Sequence, residues 1–573
     1  QFKHKAAVAE LIDANGIHHF FSHYDKRGNA VYFTLENESS AISSKIDRIR
    51  TGGSTGLDLD GSDIIFGLWD SGNPRVTHQE FNGNINIIDT AAFTSHSTHI
   101  GGILIAEGIV PAAKGMAPSA SIDSYTSSGW NSEVALWAAA GGMISSHSYI
   151  VANPREDFEK FGIYNVHSQN WDALSYNAPY LIMSTGASNN GSLNFNPDGS
   201  RYDLLASNKL GKNSIVVGAC ADVLDYTGPE SVRQAFFTSW GPTDDWRIKP
   251  DITAVGLNSS STREANDTSY GTGQGSSFAA PIVSGGLGLL QQYYHNLNSV
   301  YMKGATAKAL ILSTTDEAGE HDGPDFSNGW GLFNAEKAAE VITNNGTSAI
   351  IAESILNQDE IISLAIEVDG TEPLTVAVCW NDPPSEPFAD EPFNDPTPML
   401  INDLDVRVTS SSETFFPWMM EPNDSFDNYT DAATKGDNFR DNIEIINVEN
   451  IEAGTYNITI SAKGILQTGS QDFSLIVNGL RSETTSSTQS NTLDESISVY
   501  PNPATNSLKI EYAAPNNEEL KVSIYSITGQ KQIETNFYNQ NTIELDVSDL
   551  SKGIYLLEVQ NDNLVSTRKI IVN

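Results

Sequence analysis

Apolar runs alternate with helical patterns through the middle of the chain. Four apolar runs have the length of strands buried on both faces of a parallel sheet: Ile64–Trp69, Tyr180–Met183, Ser214–Ala219 and Asp251–Val255. Apolar residues recur at helical spacing between and after them, at Ser132–Met143, Gln169–Tyr176, Ala305–Thr314 and Asn334–Val341. Strands that alternate with helices predict an α/β domain with a doubly wound parallel sheet over residues 56–344.

The pattern changes after Thr347 to short strands of alternating polar and apolar residues. Turns rich in Asp, Pro and Asn separate them, which predicts an all-β sandwich or jelly roll over residues 345–480. Residues 481–495 are polar and low in complexity and predict a flexible linker. Residues 496–573 alternate again and predict a second all-β domain. Residues 1–55 show no strong helical pattern, and we interpret them as an N-terminal strap or a residual pro-segment.

The charge of the chain narrows the range of partners. Its 573 residues include 32 Lys and Arg against 72 Asp and Glu, a net charge of -40. This excess of acid argues against nucleic acid or an anionic membrane as partner and favours an extracellular or cation-rich setting. Cys220 and Cys379 lie far apart in apolar runs, so we expect two buried free thiols rather than a disulfide. Because the chain begins at Gln1, we also expect that a leader has been removed.

Three short stretches carry candidate chemistry. A glycine-rich turn before Ser277 leads into an apolar helical run, which predicts a serine at a helix N-terminus; an N-capping serine on a core helix would give the same pattern. Asp70 ends an apolar strand, where it can serve a site or cap its turn. His96 begins a run of small residues, where it can also be a core residue. The spacing of His96 and His99 lacks the features of a zinc-protease motif.

Five motifs together resemble the subtilisin-like serine proteases, or subtilases, over about Asp58–Asn344. They are WDSG at Trp69–Gly72, HSTHIGG at His96–Gly102, AAKGMAP at Ala112–Pro118, SWGPTDDWRIKPD at Ser239–Asp251 and GSSFAAP at Gly275–Pro281. The resemblance implies that Asp70 is the orienting carboxylate, His96 the general base and then acid, and Ser277 the nucleophile. The first histidine of this motif is the family's catalytic one, so His99 is expected to pack within its helix.

The resemblance also implies an oxyanion residue. The family places an asparagine at the end of an Ala-Gly-Asn run that follows an apolar strand. Ala187-Ser188-Asn189 matches this run without a gap, except that Ser188 replaces the glycine, so Asn189 is the nominated donor. In a second register Gly186 is the family's glycine, and Ala187 then occupies the donor position.

The nominated substrate-binding residues depart from the family. Ser148-Tyr149-Ile150 resembles the substrate-binding strand, with Ile150 in place of a glycine, and Gly186 completes the set. A branched side chain at position 150 is expected to narrow or block the primary specificity pocket. Phe278 replaces the methionine that usually follows the nucleophile.

The motifs CWNDPPSEP, LINDLDVRV and RDNIEIINVEN resemble the jelly-roll domain that follows the catalytic domain in one branch of subtilases. In that branch this domain packs on the protease and can carry calcium. Asp403 and Asp405 at a strand start, with Asp441 and Asn442 on a partner loop, are the predicted oxygen ligands of a structural Ca²⁺. A solvated acidic loop is the alternative interpretation.

The last domain carries the motifs SVYPNPATNSLKIEY and LSKGIYLLEVQ and ends in KIIVN. These resemble the C-terminal sorting domain of type IX secretion substrates. The resemblance implies export across the outer membrane of a Gram-negative bacterium, followed by secretion or attachment to the cell surface. A generic adhesive β-sandwich is the alternative.

The sequence thus predicts a secreted or cell-surface serine endopeptidase that acts through an acyl-enzyme. A catalytically impaired subtilase scaffold with a binding or structural role is the alternative, and an esterase is a third possibility. The expected partners are a protein or peptide substrate and the type IX secretion machinery, and we expect a monomer.

Overall fold

The computed structural model describes residues 37–149, 160–193, 195, 200–390, 394–423, 428–481, 497–512, 519–526, 530–538, 542–560 and 565–572, and the backbone of residues 10–12, 18–24 and 30–34. Two features predicted from the sequence, Ile150 and nearly all of the linker at 481–495, lie outside the described residues.

The N-terminal segment joins the core through two short helices. Strands β1 (Glu10–Ile12), β2 (His18–Tyr24) and β3 (Ala30–Thr34) form an antiparallel sheet, which helices α1 (Asn37–Ser43) and α2 (Ile46–Ile49) follow. Ile46 and Ile49 are fully buried in the largest hydrophobic cluster. The Asn37 side chain donates to the carbonyl oxygen of Lys114 at 2.8 Å. The second half of the predicted strap therefore contributes to the core of the domain that follows.

A seven-stranded parallel sheet organises the next domain. Its strands are β4 (Ile65–Asp70), β5 (Ile85–Ile87), β6 (Ser121–Thr126), β7 (Ile144–His147), β8 (Ile182–Gly186), β9 (Ile215–Cys220) and β10 (Ile252–Val255). Their order across the sheet is β10-β9-β8-β7-β4-β6-β5, and every neighbouring pair is parallel. The helices are α3 (Ser95–Ile105), α4 (Trp130–Ala139), α5 (Val166–Asn177), α6 (Ser276–Asn298), α7 (Gly304–Leu312) and α8 (Ala335–Thr343). A hairpin of β11 (Ser259–Thr262) and β12 (Tyr270–Gly273) precedes α6. The predicted α/β fold with a parallel sheet is confirmed.

The strand order fixes where a site can form. Strand β4 lies between β6 and β7, and the later strands β8 to β10 continue on the β7 side while β5 lies beyond β6, so the strand order reverses at β4. A crevice opens at the carboxyl ends of parallel strands where the order reverses. The last five residues of β4 are buried, and Asp70 is the final one, so its carboxyl group lies at this crevice.

Residues 349–478 form two antiparallel four-stranded sheets, which we call the β-sandwich domain. The strands are β13 (Ala349–Asn357), β14 (Ile361–Val368), β15 (Leu374–Cys379), β16 (Asp403–Thr409), β17 (Thr414–Phe415), β18 (Trp418–Met419), β19 (Thr434–Lys435), β20 (Ile443–Val448), β21 (Gly454–Lys463) and β22 (Ser470–Asn478). One sheet has the order β13-β22-β15-β20 and the other β14-β21-β16-β17, and residues of both share one hydrophobic cluster. The two remaining strands, β18 and β19, pair with each other as a separate two-stranded sheet. The predicted all-β character is confirmed, and the jelly-roll topology stays a prediction.

The outer face of the first of these sheets packs on the α/β domain. Ala377, Cys379 and Ile443 belong to the same buried cluster as the helices of the α/β domain, and both cysteines are free and buried, as predicted. Lys212 of the α/β domain is fully buried against this sheet. Its ammonium donates to Asp382 Oδ2 at 2.5 Å and to the carbonyl oxygen of Met399 at 2.8 Å. The two domains therefore share apolar and ionic contacts that water does not reach.

Two buried carboxyl groups meet near this border. Oδ1 of Asp203 and Oδ1 of Asp244 both crowd the α-carbon of Gly162, where a Cβ would collide with either oxygen. Burial raises the pKa of Asp203 to about 8. Burial, and then repulsion from Asp203, raises the pKa of Asp244 to about 9. The pair therefore holds protons at neutral pH.

The C-terminal domain is a separate all-β unit. Its strands are β23 (Ile497–Tyr500), β24 (Ser507–Tyr512), β25 (Glu519–Ser526), β26 (Lys531–Tyr538), β27 (Thr542–Asp546), β28 (Gly553–Gln560) and β29 (Val565–Val572). They form two sheets, β23-β24-β27 and β26-β25-β28-β29, around a hydrophobic cluster drawn from this domain alone. Across the described part of the chain, no helix has the length and apolar character needed to cross a bilayer.

Candidate active site

Asp70 and His96 are brought together by a strand end and a helix start. Helix α3 begins after Thr94, whose hydroxyl accepts the backbone N–H of Ser97, so His96 lies in the first helical turn. His96 Nδ1 lies 2.8 Å from each carboxylate oxygen of Asp70. The Asp70 side chain is 2% exposed and that of His96 is 33% exposed. A buried carboxylate thus holds one imidazole nitrogen while the ring remains open to a substrate.

Ser277 is the second residue of α6, which begins after Gly275. A Cβ on Gly275 would lie 2.9 Å from Ser277 Oγ and 3.4 Å from Asn189 Nδ2, so both polar groups face the same small space. The ring centroid of Phe278 lies 5.7 Å from that of His96. These contacts place the start of α6 beside the imidazole, where the helix N-terminus presents unpaired N–H groups and a positive dipole end.

Asn189 is fixed by a hydrogen bond to the start of α6. Its Oδ1 accepts the backbone N–H of Ser276 at 2.8 Å, which turns the amide nitrogen toward Gly275 and Ser277. Ser188 before it has a φ of +83°, the left-handed region that favours glycine. The chain thus keeps the backbone turn at this position although it lacks the glycine.

Ala187, the donor position in the second register, packs in an apolar cluster away from the start of α6. Its side chain is fully buried in an apolar cluster with Leu205, Leu210 and Val216, while its N–H donates to the carbonyl oxygen of Val217 in the neighbouring strand. Asn190 is also buried, and its backbone N–H donates to Ser239 Oγ at 3.1 Å. Of these three neighbouring residues, Asn189 is the one whose side chain contacts the N-terminus of α6.

Two of the nominated substrate-binding residues touch the segment that carries the serine. Ser148 Oγ donates to the carbonyl oxygen of Ser277 at 2.9 Å. Gly186 packs so closely on Ser276 that a Cβ there would lie 2.6 Å from the carbonyl group of Ser276. Only glycine permits this approach of β8 to α6.

Tyr149 turns away from this segment. Its hydroxyl lies 3.0 Å from His147 Nδ1, and burial raises the pKa of the phenol. Burial also lowers the pKa of the His147 imidazole to about 3, so this histidine is neutral at physiological pH. The predicted effect of Ile150 on the pocket cannot be read from the described residues.

His99 packs between helices, as the sequence analysis expected. It is fully buried, with its ring centroid 4.3 Å from that of Phe278. Burial, and then the charge of Arg263, holds the pKa of this imidazole well below its usual range. A ring that stays neutral suits this apolar contact.

Lys209 contacts strand β8 and the residues that follow β7, and the sequence did not predict a role for it. It belongs to a short 3₁₀ helix, Ser207–Leu210, and its side chain is 2% exposed. Its ammonium donates to the carbonyl oxygen of Tyr149 at 3.0 Å and to Thr185 Oγ1 at 2.7 Å. The available signal was a single lysine inside the otherwise uncharged stretch Leu204–Leu210.

The four nominated calcium ligands each contact other protein groups. Asp441 Oδ1 accepts the N–H of Ile248 in the α/β domain at 2.9 Å. The Asn442 amide donates to Asn213 Oδ1 and to the carbonyl oxygen of Trp380, so its nitrogen and not its oxygen is engaged. These two side chains join the domains.

On β16, Asp405 Oδ1 pairs with Arg407 at 2.8 Å, and burial, and then the Asp405 charge, raises the pKa of Asp403 to about 7. The described residues contain no group of three or more His, Cys, Asp or Glu side chains that could hold a metal. The structural calcium ion stays a prediction.

Two protein families match separate parts of this chain. Residues 70–331 match the subtilase family, and residues 498–573 match the secretion system C-terminal sorting domain. The chain therefore carries a subtilase domain, which belongs to a family of serine proteases, and a type IX secretion sorting domain. The sorting domain indicates secretion or export to the cell surface, as the sequence predicted.

Individual relatives share only part of the chain. It is 33% identical over 147 residues to the C5a peptidase of Streptococcus pyogenes serotype M3. This alignment covers 24% of this chain and 12% of that protein. It is 23% identical over 285 residues to the serine protease/ABC transporter B family protein tagA of Dictyostelium discoideum, covering 42% of this chain and 15% of that protein. The chain thus spans a small fraction of these relatives. Among solved structures, the self-cleaved protease domain of PatA is 20% identical, with a TM-score of 0.40, over 50% of this chain and 99% of that one.

Proposed function

We propose that this protein is a secreted or cell-surface serine endopeptidase in which Asp70, His96 and Ser277 form the catalytic triad. The observation that carries the proposal is the 2.8 Å contact of His96 Nδ1 with both oxygens of Asp70, next to the helix N-terminus that bears Ser277. A nucleophile, a base and an orienting carboxylate are the parts that acyl transfer needs.

In this mechanism Ser277 Oγ attacks the carbonyl carbon of the scissile peptide bond, and His96 Nε2 takes the hydroxyl proton. Asp70 keeps the Nδ1–H tautomer in place and stabilises the imidazolium that forms. His96 then gives the proton to the leaving amine, so the C–N bond breaks and an acyl-enzyme remains. Water, deprotonated by the same imidazole, releases the acid and restores Ser277.

The tetrahedral intermediate carries negative charge on the former carbonyl oxygen. The N-terminus of α6 and the Asn189 amide both face the space beside Ser277 Oγ, which supports their role as the oxyanion donors. Because Ala187 is buried among apolar side chains, the register that would make it the donor position receives no such support.

The test is the hydrolysis of casein and of a nitrophenyl ester by the purified full chain, with and without a serine-directed fluorophosphonate. Ser277→Ala should abolish proteolysis and fluorophosphonate labelling, while Ser276→Ala, which alters the preceding serine, should remain labelled. Asp70→Asn should cripple turnover because the wrong imidazole tautomer is then favoured. Proteolysis by a folded Ser277→Ala variant would refute the assignment.

The same assay separates the alternatives. Ester hydrolysis without casein hydrolysis would indicate an esterase. A folded wild-type protein that hydrolyses neither substrate and is not labelled would support the impaired scaffold with a binding role.

A further inference from the structure

We propose that Lys209 binds the side-chain carboxylate of the substrate residue that precedes the cleaved bond, and so gives the protease a preference for Glu or Asp at that position. This inference rests on the proposed function, because it assigns a specificity to the same site.

The position of the ammonium is the first support. Tyr149, whose carbonyl oxygen it contacts, directly follows Ser148, and Thr185 directly precedes Gly186. Ser148 and Gly186 both touch the segment carrying Ser277. The ammonium therefore lies between the residues that follow β7 and the end of β8, and each of its two acceptors is adjacent in sequence to a residue that contacts the segment carrying Ser277.

The charge of Lys209 is the second support. Three of the four other buried lysines, all except Lys45, pair with a buried carboxylate: Lys212 with Asp382 at 2.5 Å, Lys249 with Asp251 at 2.6 Å and Lys308 with Asp251 at 3.1 Å. Among the described residues, Lys209 has no carboxylate within 4.0 Å, and its hydrogen-bond acceptors are a carbonyl and a hydroxyl oxygen. Burial alone lowers its pKa to about 7.

A buried ammonium without a counterion destabilises a fold, so its retention needs a reason. An ammonium has three N–H donors, and the described part of the chain accepts two of them. A substrate carboxylate would accept the third and supply the missing charge in one contact. A basic substrate side chain would meet repulsion instead, and a neutral amide would supply an acceptor without charge.

The experiment compares four peptides that differ only before the cleaved bond, where they carry Glu, Gln, Leu or Lys. Wild-type kcat/KM should be about 10- to 100-fold higher for Glu than for Gln, the range of a charge-assisted hydrogen bond. Lys209→Met, which keeps the length and removes the charge, should lose that factor for Glu and change Gln and Leu by less than about threefold. Lys337→Met, a change at a half-exposed lysine on α8, is the control and should leave all four values unchanged.

Two results would overturn the inference. If Lys209→Met lowers kcat/KM equally for every peptide, Lys209 only braces β7 against β8. If wild type cleaves the Leu peptide but does not distinguish Glu from Gln, the specificity is wrong while the proposed protease stands.

A binding measurement tests the pocket without turnover. Fluorescent peptides ending in Glu or Gln, which mimic the acyl product, are titrated onto the Ser277→Ala variant and onto Ser277→Ala/Lys209→Met. The Glu peptide should bind about tenfold more tightly than the Gln peptide to the first variant only. Equal affinities in the first variant would refute the role of Lys209 even if the protein proved to be no protease.

Discussion

Removal of the Asn189 amide is the sharpest perturbation of the candidate site. The side chain performs two tasks that the structure separates by atom: Oδ1 accepts the N–H of Ser276, and Nδ2 faces the space beside Ser277 Oγ. The first contact orients the amide, and the second is where negative charge develops in the proposed reaction. Asn189→Ala deletes both, whereas Asn189→Asp retains an oxygen acceptor for Ser276 and replaces the donor with a carboxylate.

The expected magnitude follows from the number of donors. The Asn189 amide is the one side-chain donor that the described residues direct at this space, so its removal should cost as much as the loss of one oxyanion donor. That loss lowers turnover by about 10²–10³-fold, or about 2.7–4 kcal/mol, when the corresponding asparagine is removed from subtilisin itself. The Michaelis constant should change little, because the donor acts mainly in the transition state. Asn189→Asp should be at least as slow as Asn189→Ala, since a carboxylate repels the oxyanion.

The assay is steady-state kinetics on one peptide substrate, together with the rate of fluorophosphonate labelling and a melting curve for each variant. Asn190→Ala is the matched control, because this neighbouring asparagine contacts Ser239 through its backbone and should lose far less activity. Ala187→Asn places an amide among Leu205, Leu210 and Val216 and should lower stability without raising turnover. A folded Asn189→Ala enzyme with wild-type turnover, or an Ala187→Asn enzyme that is faster, would refute this reasoning.

Two further predictions concern stability. Ser188→Gly should raise the free energy of unfolding by about 1 kcal/mol. A φ of +83° costs a serine about 1–3 kcal/mol, and the greater conformational entropy of glycine in the unfolded state offsets only part of that gain. A lower melting temperature of the variant in calorimetry would contradict this prediction. Asp203 and Asp244 have raised pKa values in the folded state, so their stabilising effect is complete below about pH 4 and is lost as pH rises toward 8–9. Urea unfolding should therefore show a decline in the free energy of unfolding between pH 5 and 9 in wild type. The decline should be smaller in Asp244→Asn and unchanged in the exposed control Asp63→Asn, and identical profiles in all three would exclude the pair as its source.

The main sheet could be predicted because its local pattern and its packing agree. The apolar run Ile64–Trp69 lies within one residue of β4, since a central parallel strand is buried on both faces and shows no alternation. The helix that follows the glycine-rich turn was equally visible, because small residues give way at once to a long apolar run. Helices α1 and α2 were missed because they are short and are stabilised by contacts with residues that lie far along the chain.

From the sequence, the candidate site could be predicted only from the order in which the motifs of Asp70, His96 and Ser277 follow one another along the chain. The sequence placed Asp70 and His96 at a strand end and a helix start, and the shape of the sheet brings them into contact. Asp441 and Asn442 looked like metal ligands because acidic and amide groups clustered in sequence, yet they bond across a domain border that no local pattern reveals. The role proposed for Lys209 could not be predicted for the same reason, since only the fold shows that no carboxylate of the described residues lies within 4.0 Å of its ammonium.

The buried interface between the α/β domain and the β-sandwich domain limits where this chain can be truncated. A gene fragment ending near residue 344 would encode a protease whose Lys212 has lost Asp382 and whose apolar flank has lost Cys379 and Ile443. Such a fragment should aggregate or be degraded. The α/β domain and the β-sandwich domain are therefore expected to fold as one unit, whereas the C-terminal domain closes around a hydrophobic cluster of its own and should tolerate separation.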